Sequence, residues 1–68
     1  MGRNIKILRK QKRLSVQNLA NLAGLSKTRL TEIENGQHEA RPDEIEKIAA
    51  ALNVTVDDLK YRERKFKI

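Results

Sequence analysis

The spacing of apolar residues predicts a chain built from helices. Apolar and small side chains recur at intervals of three and four residues, as they do when one face of a helix is buried. Helices are predicted at about 3–13, 16–23, 27–34 and 42–52, and a fifth follows Thr55. The positions expected to face the core are Ile5, Leu8, Val16, Leu19, Ala20, Ala23, Leu30, Ile33, Ile45, Ile48, Ala49, Leu52, Val56 and Leu59. The pattern therefore predicts an all-α domain of five short helices.

Start and stop residues support these boundaries. Ser15 and Ser26 precede the second and third helices as N-caps, whose hydroxyls accept from free backbone N–H groups. Gly24 and Asn35-Gly36 follow the same two helices, because these residue types tolerate the left-handed conformation. Pro42 suits the first turn of the fourth helix. Since only Gly24 and Leu25 separate the second helix from Ser26, the pair is predicted to form a helix-turn-helix.

The charge is unevenly distributed along the 68 residues. The net charge is +6, and residues 1–41 carry nine basic and three acidic groups, whereas 42–59 carry one basic and five acidic groups. Residues 60–68 are again basic, with five basic groups and one acidic group. A polarised basic surface attracts polyanions, nucleic acid first, although a solvated surface rich in lysine would give the same totals.

The composition narrows the class further. The chain contains no cysteine, no apolar run long enough to span a membrane and no signal segment at its start, so a soluble cytoplasmic protein is expected. One histidine, His38, and no cysteine predict no metal site. No nucleophile-and-base pair or phosphate loop is present, so neither enzymatic activity nor a cofactor is expected.

An ordered set of motifs resembles the helix-turn-helix domain of the lambda-repressor/Cro type, also called the xenobiotic-response-element type. The stretches LSVQNLANLAGLSKTRLTEIENG and RPDEIEKIAAALNVTVDDL carry the likeness, which covers about residues 3–60. The resemblance implies a compact five-helix domain over 1–60, with the helix-turn-helix at about 15–35. It also implies that the recognition helix, about 27–34, enters the DNA major groove. Residues 61–68 then form a basic tail that is either a short strand or a frayed end.

The resemblance also implies one structural pair. Arg9 on the first helix is expected to pair with Glu34 at the end of the third, fastening the recognition helix to the scaffold. Both residues fall on the inward faces assigned from periodicity. Removing one partner of a buried pair costs roughly 3–5 kcal/mol, so both are expected to be structural.

The outer face of the third helix fits the chemistry of the major groove. At about 100° per residue, Thr28 and Glu32 point away from the core. Hydroxyls and cationic groups can bond base edges, a threonine methyl can touch thymine, and a carboxylate can accept from cytosine. By resemblance, base contacts are expected from Ser26, Lys27, Thr28, Glu32, Arg29 and Thr31. The alternative is a solvated face in which Arg29 simply pairs with Glu32.

Phosphate contacts are expected where helix N-termini and loops meet the backbone. The family usually has glutamine directly after the cap of the second helix, but Val16 stands there and that contact is lost. The candidates for phosphate contact are Gln17, Asn18, Asn35, Gln37 and Arg41.

A two-fold dimer on a palindromic site is expected, because one recognition helix reads only a few base pairs. Ile7 lies on the outward face of the first helix, and Tyr61, Phe66 and Ile68 in the tail have no assigned partner. The hypothesis is that the tail folds back as a strand over Ile7, at or beside the dimer interface. A basic tail that touches phosphate is the alternative.

The function expected from this pattern is sequence-specific binding of double-stranded DNA by a homodimeric transcriptional regulator, a repressor that occupies a promoter. The alternative is an antitoxin or adaptor that uses the same fold to bind a partner protein. The basic first 41 residues favour the DNA-binding function. Neither a membrane nor a small-molecule ligand is expected among the partners.

Overall fold

The computed structural model describes residues 1–61, apart from the side chain of Tyr61, and this part of the chain contains five helices and no strand. They are α1 (Gly2–Gln11), α2 (Val16–Ala23), α3 (Lys27–Glu34), α4 (Pro42–Leu52) and α5 (Val56–Tyr61). The bounds of α2, α3 and α4 are those predicted from the sequence, and the all-α five-helix fold is confirmed. The tail beyond residue 61, with its predicted strand, lies outside the described residues.

The core contains side chains from every helix. Its buried apolar members are Ile5, Leu8, Leu19, Ala20, Ala23, Leu30, Ile33, Ile45, Ile48, Ala49, Leu52 and Leu59. All were predicted to face inward. Val16 and Val56, predicted with them, are only half-buried and pack against the edge of this core. The helical periodicity therefore locates the core because each helix buries a single stripe.

Helix α1 ends earlier than the predicted Arg13. Its last residue is Gln11, because Arg13 adopts a left-handed backbone with φ of 61°. The N–H of Leu14 then donates to the carbonyl of Arg9 at 3.0 Å. Such a bond across a left-handed residue is a regular way to end a helix, usually with glycine at the left-handed position. Gly24, Gly36 and Asn53 occupy that position after α2, α3 and α4.

Two further contacts fix the ends of the bundle. The side-chain N–H of Asn4 donates to the carbonyl of Leu59 at 2.8 Å, which ties α1 to α5. Thr55 and Asp58 form a reciprocal cap at the start of α5, each side chain accepting from the backbone N–H of the other at 3.1 Å. No helix among the described residues is long and apolar enough to cross a membrane.

Candidate nucleic-acid interface

Helices α2 and α3 form a tight helix-turn-helix. Gly24 takes φ of 71°, and the N–H of Leu25 donates to the carbonyl of Ala20 at 2.9 Å, so the chain reverses within three residues. The Ala20 side chain is fully buried. Its small size allows the two helices to cross closely, which fixes the direction in which α3 leaves the turn.

The N-terminus of α3 is capped and its first turn is exposed. The Ser26 hydroxyl accepts from the N–H of Arg29 at 3.0 Å. Leu30 and Ile33 are buried, while Ser26, Lys27 and Thr28 are exposed. Neither Lys27 nor Thr28 makes a side-chain hydrogen bond to another described residue, so both are available to a ligand.

The second turn of α3 is less exposed than the first. Thr31 and Glu32 are half-buried. The Glu32 carboxylate lies 3.7 Å from Nε2 of His38 in the loop after the helix, so the two side chains pair when the imidazole is protonated. Glu32 therefore faces the loop as well as the outer surface, which neither the helical period nor the motif indicated.

Arg29 does not pair with Glu32, three residues along the helix, as the alternative of a solvated face predicted. Its Nε and Nη2 donate to the two carboxylate oxygens of Glu44 at 3.0 Å each. The same oxygen that accepts from Nη2 also accepts from the backbone N–H of Arg41 at 2.8 Å. These bonds hold the pKa of Glu44 at about 2, below its usual 4.5, chiefly through Arg29 and next through Arg41. Arg29 is thus engaged on the protein itself.

The other end of α3 is fastened to α1. Nε and Nη2 of Arg9 donate to the two carboxylate oxygens of Glu34 at 2.8 and 3.1 Å, and Nη1 donates to the carbonyl of Leu14 at 2.9 Å. The side chains are 9% and 4% exposed. The pairing therefore occurs where the resemblance implied it, between α1 and the end of α3.

The start of α2 also presents exposed polar groups. The Ser15 hydroxyl accepts from the N–H of Asn18 at 3.0 Å, as the capping signal predicted. Gln17 and Asn18 are exposed, and the Gln17 amide donates to Asn21 on the next turn at 3.0 Å. Val16 is half-buried against the core. Because its side chain is aliphatic, it offers no polar group to a ligand.

The loop from α3 to α4 holds the remaining candidates for phosphate contact. Asn35, Gln37 and Arg41 are all exposed. Near the start of the loop, Gly36 takes φ of 79° and the N–H of Gln37 donates to the carbonyl of Glu32 at 2.9 Å. At its end, the N–H of Arg41 donates to the Glu44 carboxylate at 2.8 Å. The loop is thus anchored at both ends while these side chains remain accessible.

Helix α1 and the turn after it add a strong positive field. No acidic residue occurs before Glu32. The basic side chains exposed on this segment are Arg3, Lys6, Lys10, Lys12 and Arg13. Because Arg9 and Glu34 join α1 to the end of α3, this field lies on a helix directly attached to α3.

The sequence pattern does not indicate two of the contacts of α3. Gly2 packs against the C-terminal end of α3, where an added Cβ would overlap the carbonyl oxygen of Ile33. The Arg29–Glu44 pair joins residues fifteen positions apart, which no helical period connects.

Ile7, predicted to lie on the outward face of α1, is half-buried. Its predicted partners Phe66 and Ile68, with the side chain of Tyr61, lie outside the described residues.

Sequence comparison finds relatives over most of the chain. A model of the helix-turn-helix family matches residues 5–59. The chain is 34% identical over 62 residues to the HTH-type transcriptional repressor RghR of Bacillus subtilis (strain 168). This match covers 90% of the chain and 46% of RghR, so the chain spans less than half the length of that relative.

Structural comparison finds regulators with the same arrangement of helices. The restriction-modification controller protein C.AhdI from Aeromonas hydrophila superposes with a TM-score of 0.84 at 34% identity, covering 85% of this chain and 88% of that one. SinR of Bacillus subtilis, the master regulator for biofilm formation, superposes with a TM-score of 0.82 at 37% identity in its complex with DNA. That match covers 87% of this chain and 95% of the SinR chain.

Proposed function

The chain belongs to the Cro/C1-type helix-turn-helix family, and we propose that it is a transcriptional regulator that reads double-stranded DNA with α3. Membership confirms the resemblance drawn from the ordered motifs. The observation that carries the proposal is the first turn of α3, where Lys27 and Thr28 are exposed, unbonded and held on a fixed helix. A helix of this kind fits the major groove, which admits one α-helix and displays the donors and acceptors of each base pair.

The proposed base contacts follow from chemistry and exposure. Thr28 can exchange a hydrogen bond with a base edge or place its methyl against thymine, and Lys27 can donate to guanine O6 or N7. Ser26, Thr31 and Glu32 lie beside them, with the Glu32 carboxylate suited to cytosine N4. We leave Arg29 out of this set, because its guanidinium is already paired with Glu44.

The proposed phosphate contacts come from the segments before and after α3. The exposed start of α2, with Gln17 and Asn18, and the loop residues Asn35, Gln37 and Arg41 lie on either side of α3 in the sequence. Free N–H groups at helix N-termini and short polar side chains are the usual ligands of the backbone. The basic residues of α1 add attraction that does not depend on sequence.

We propose that two copies bind a palindromic operator. A single α3 contacts only a few base pairs, and two-fold dimers of such domains read half-sites about 34–36 Å apart. Repression would follow from occupying a promoter, and it is proposed here because the relative RghR is named a transcriptional repressor. The proposed setting is the cytoplasm of a prokaryote, and no enzymatic reaction is assigned to the chain.

Selection from a randomised duplex library, followed by sequencing, tests this function. The selection is run at two salt concentrations, because phosphate contacts make affinity fall with salt whether or not bases are read. We expect enrichment of a palindrome with half-sites about one helical turn apart. Salt-sensitive binding without an enriched sequence would contradict base reading, and an antitoxin or adaptor function would then be tested by pull-down.

A further inference from the structure

A bidentate ion pair joins the recognition helix to α4. Nε of Arg29 donates to one carboxylate oxygen of Glu44 and Nη2 donates to the other, both at 3.0 Å. The Arg29 and Glu44 side chains are 28% and 12% exposed. Bidentate pairing of guanidinium with carboxylate fixes direction as well as distance, because two parallel bonds must align at once.

Glu44 connects this pair to the loop before α4. The carboxylate oxygen that accepts from Nη2 of Arg29 also accepts from the Arg41 N–H at 2.8 Å. Nη2 of Arg29 lies 3.4 Å from the carbonyl of Glu39 in the same loop. One carboxylate therefore joins α3, the end of the loop and the first turn of α4.

Helix α3 is consequently tethered near both ends. Glu34 at its C-terminus is paired with Arg9 of α1, and Arg29 in its first turn is paired with Glu44 of α4. Between the tethers, Leu30 and Ile33 bury apolar surface, and apolar burial is not directional. Burial of this stripe decides which face of α3 points outward, and the two ion pairs restrict the remaining rotation of α3 about its own axis. Arg29 directly follows Thr28, so its tether restrains the helix segment that carries Thr28.

We propose that Arg29 is a positioning residue for DNA recognition, which acts through Glu44 to hold Lys27 and Thr28 in register with the bases. This inference rests on the proposed DNA-reading function. An arginine on a recognition helix would ordinarily be assigned as a direct reader of guanine. The two roles predict opposite consequences for a change at Glu44, which does not itself lie on α3.

The Glu44→Gln variant separates the two roles. The glutamine oxygen can still accept from the Arg41 N–H, so the cap of α4 is kept while the ion pair is lost. We expect the ratio of operator affinity to non-specific affinity to fall about tenfold, comparable with losing discrimination at one base pair. A ratio that rises would show that the freed Arg29 binds DNA directly, and a ratio that stays the same would show that the pair does not position α3; either result would overturn the positioning role.

Four companion variants make the test specific. Arg29→Met should lower the ratio as Glu44→Gln does, and the double variant should lower it no further, because both changes break one contact. Arg29→Lys keeps the charge but not the bidentate geometry, so an intermediate ratio is expected. The matched control is Glu46→Gln, the same chemical change at an exposed position two residues along α4. An equal fall in Glu46→Gln would overturn the role, since charge alone would then explain it.

Folding and function are checked separately. Circular dichroism at the binding temperature establishes that each variant is helical, and Arg29→Lys, which changes least, serves if Glu44→Gln does not fold. With Arg29→Lys alone, an unchanged ratio overturns the positioning role. If the wild-type chain selects an operator and the variants keep the wild-type ratio of operator affinity to non-specific affinity, only the positioning role is contradicted. A wild-type chain that selects no sequence contradicts the proposed function, and the positioning role with it.

Discussion

Arg9 and Glu34 form an almost fully buried ion pair between α1 and the last residue of α3, with both carboxylate oxygens bonded by the guanidinium at 2.8 and 3.1 Å. A third N–H of Arg9 bonds the carbonyl of Leu14, in the turn that leads to α2. One side chain therefore joins three segments around the helix-turn-helix. Because the pair is desolvated, its partners depend on each other more strongly than those of a surface pair.

Removing one partner of this pair should destabilise the domain severely. Arg9→Met leaves the Glu34 carboxylate buried without its cation, and we expect a loss of roughly 3–5 kcal/mol in the free energy of unfolding. Urea denaturation, monitored by circular dichroism, measures this loss.

The control is the double variant Arg9→Met with Glu34→Leu. It should recover a large part of the loss, because no buried charge is left unpaired, although the Leu14 carbonyl still lacks its donor. A loss of about 1 kcal/mol or less in the single variant would mean that the pair behaves like an exposed one.

Gly2→Ala should destabilise the domain although alanine is the better helix former. The added Cβ would overlap the carbonyl oxygen of Ile33 and lie 2.9 Å from that of Glu34. At an unconstrained helical position the change would stabilise by about 1 kcal/mol, so the sign of the effect is diagnostic. We expect a loss of about 1–3 kcal/mol from overpacking, measured by thermal unfolding. A gain in stability would show that α1 can shift away from α3 without cost.

Glycine at position 13 should give a more stable domain than a residue that carries a Cβ. Its φ of 61° is a left-handed conformation that side chains with a Cβ resist. Arg13→Gly and Arg13→Ala remove the same charge and differ in backbone freedom. We expect the glycine variant to be the more stable of the two by about 1 kcal/mol in urea denaturation. Equal stability would mean that the left-handed turn relaxes when Arg13 is replaced.

Acid should weaken the domain partly through Glu44. Its pKa is lowered to about 2 in the folded protein, by Arg29 first and the Arg41 N–H next, whereas its usual value is 4.5. A lowered pKa means that the unfolded chain binds the proton more readily. The contribution is therefore present above pH 4.5 and is lost as the pH falls from there toward 2.

The free energy of unfolding measured from pH 6 to 2 tests this assignment. We expect a shallower decline in Glu44→Gln than in the wild type, while Glu46→Gln, at an exposed position, should keep the wild-type slope. Identical slopes in all three proteins would mean that other carboxylates account for the acid sensitivity.

Thr28→Ala should relax the preference for one base position in the selected operator. The expected cost is about 1–3 kcal/mol on the preferred sequence and little on others. Lys27→Ala should behave similarly if it bonds a base, or weaken all sequences and reduce the salt dependence if it bonds phosphate. The control is Lys47→Ala, which removes a positive charge that lines the groove between α2 and α4. Equal effects at Lys27 and Lys47 would contradict a contact from α3.

Local signals in the sequence predicted most of the fold. The helical period predicted the core positions, and the serine caps with Gly24 predicted the bounds of α2 and α3, because these effects act within one turn. The end of α1 was misjudged, since an arginine occupies the left-handed position where glycine is the usual signal. Residue type alone does not indicate that a bond such as Leu14 to Arg9 will hold it there.

The candidate interface could be predicted only in part. Exposure of Lys27 and Thr28 followed from the helical period, because their opposite face must be buried. The partner of Arg29 depends on how α4 packs against α3, and several acidic residues at unrelated spacings could have supplied it. The same limit applies to Gly2, whose tight contact arises only when the start of α1 meets the end of α3.

Under the proposed function, recognition and folding depend on different residues of α3. Lys27 and Thr28 are exposed and bond no other described residue, while stability depends on Leu30, Ile33 and the two ion pairs. A library randomised only at positions 27 and 28 should therefore yield mostly folded proteins with altered operator preferences. Such a domain could be retargeted by changing two codons, and during evolution it could acquire a new regulatory site without losing its structure on the way.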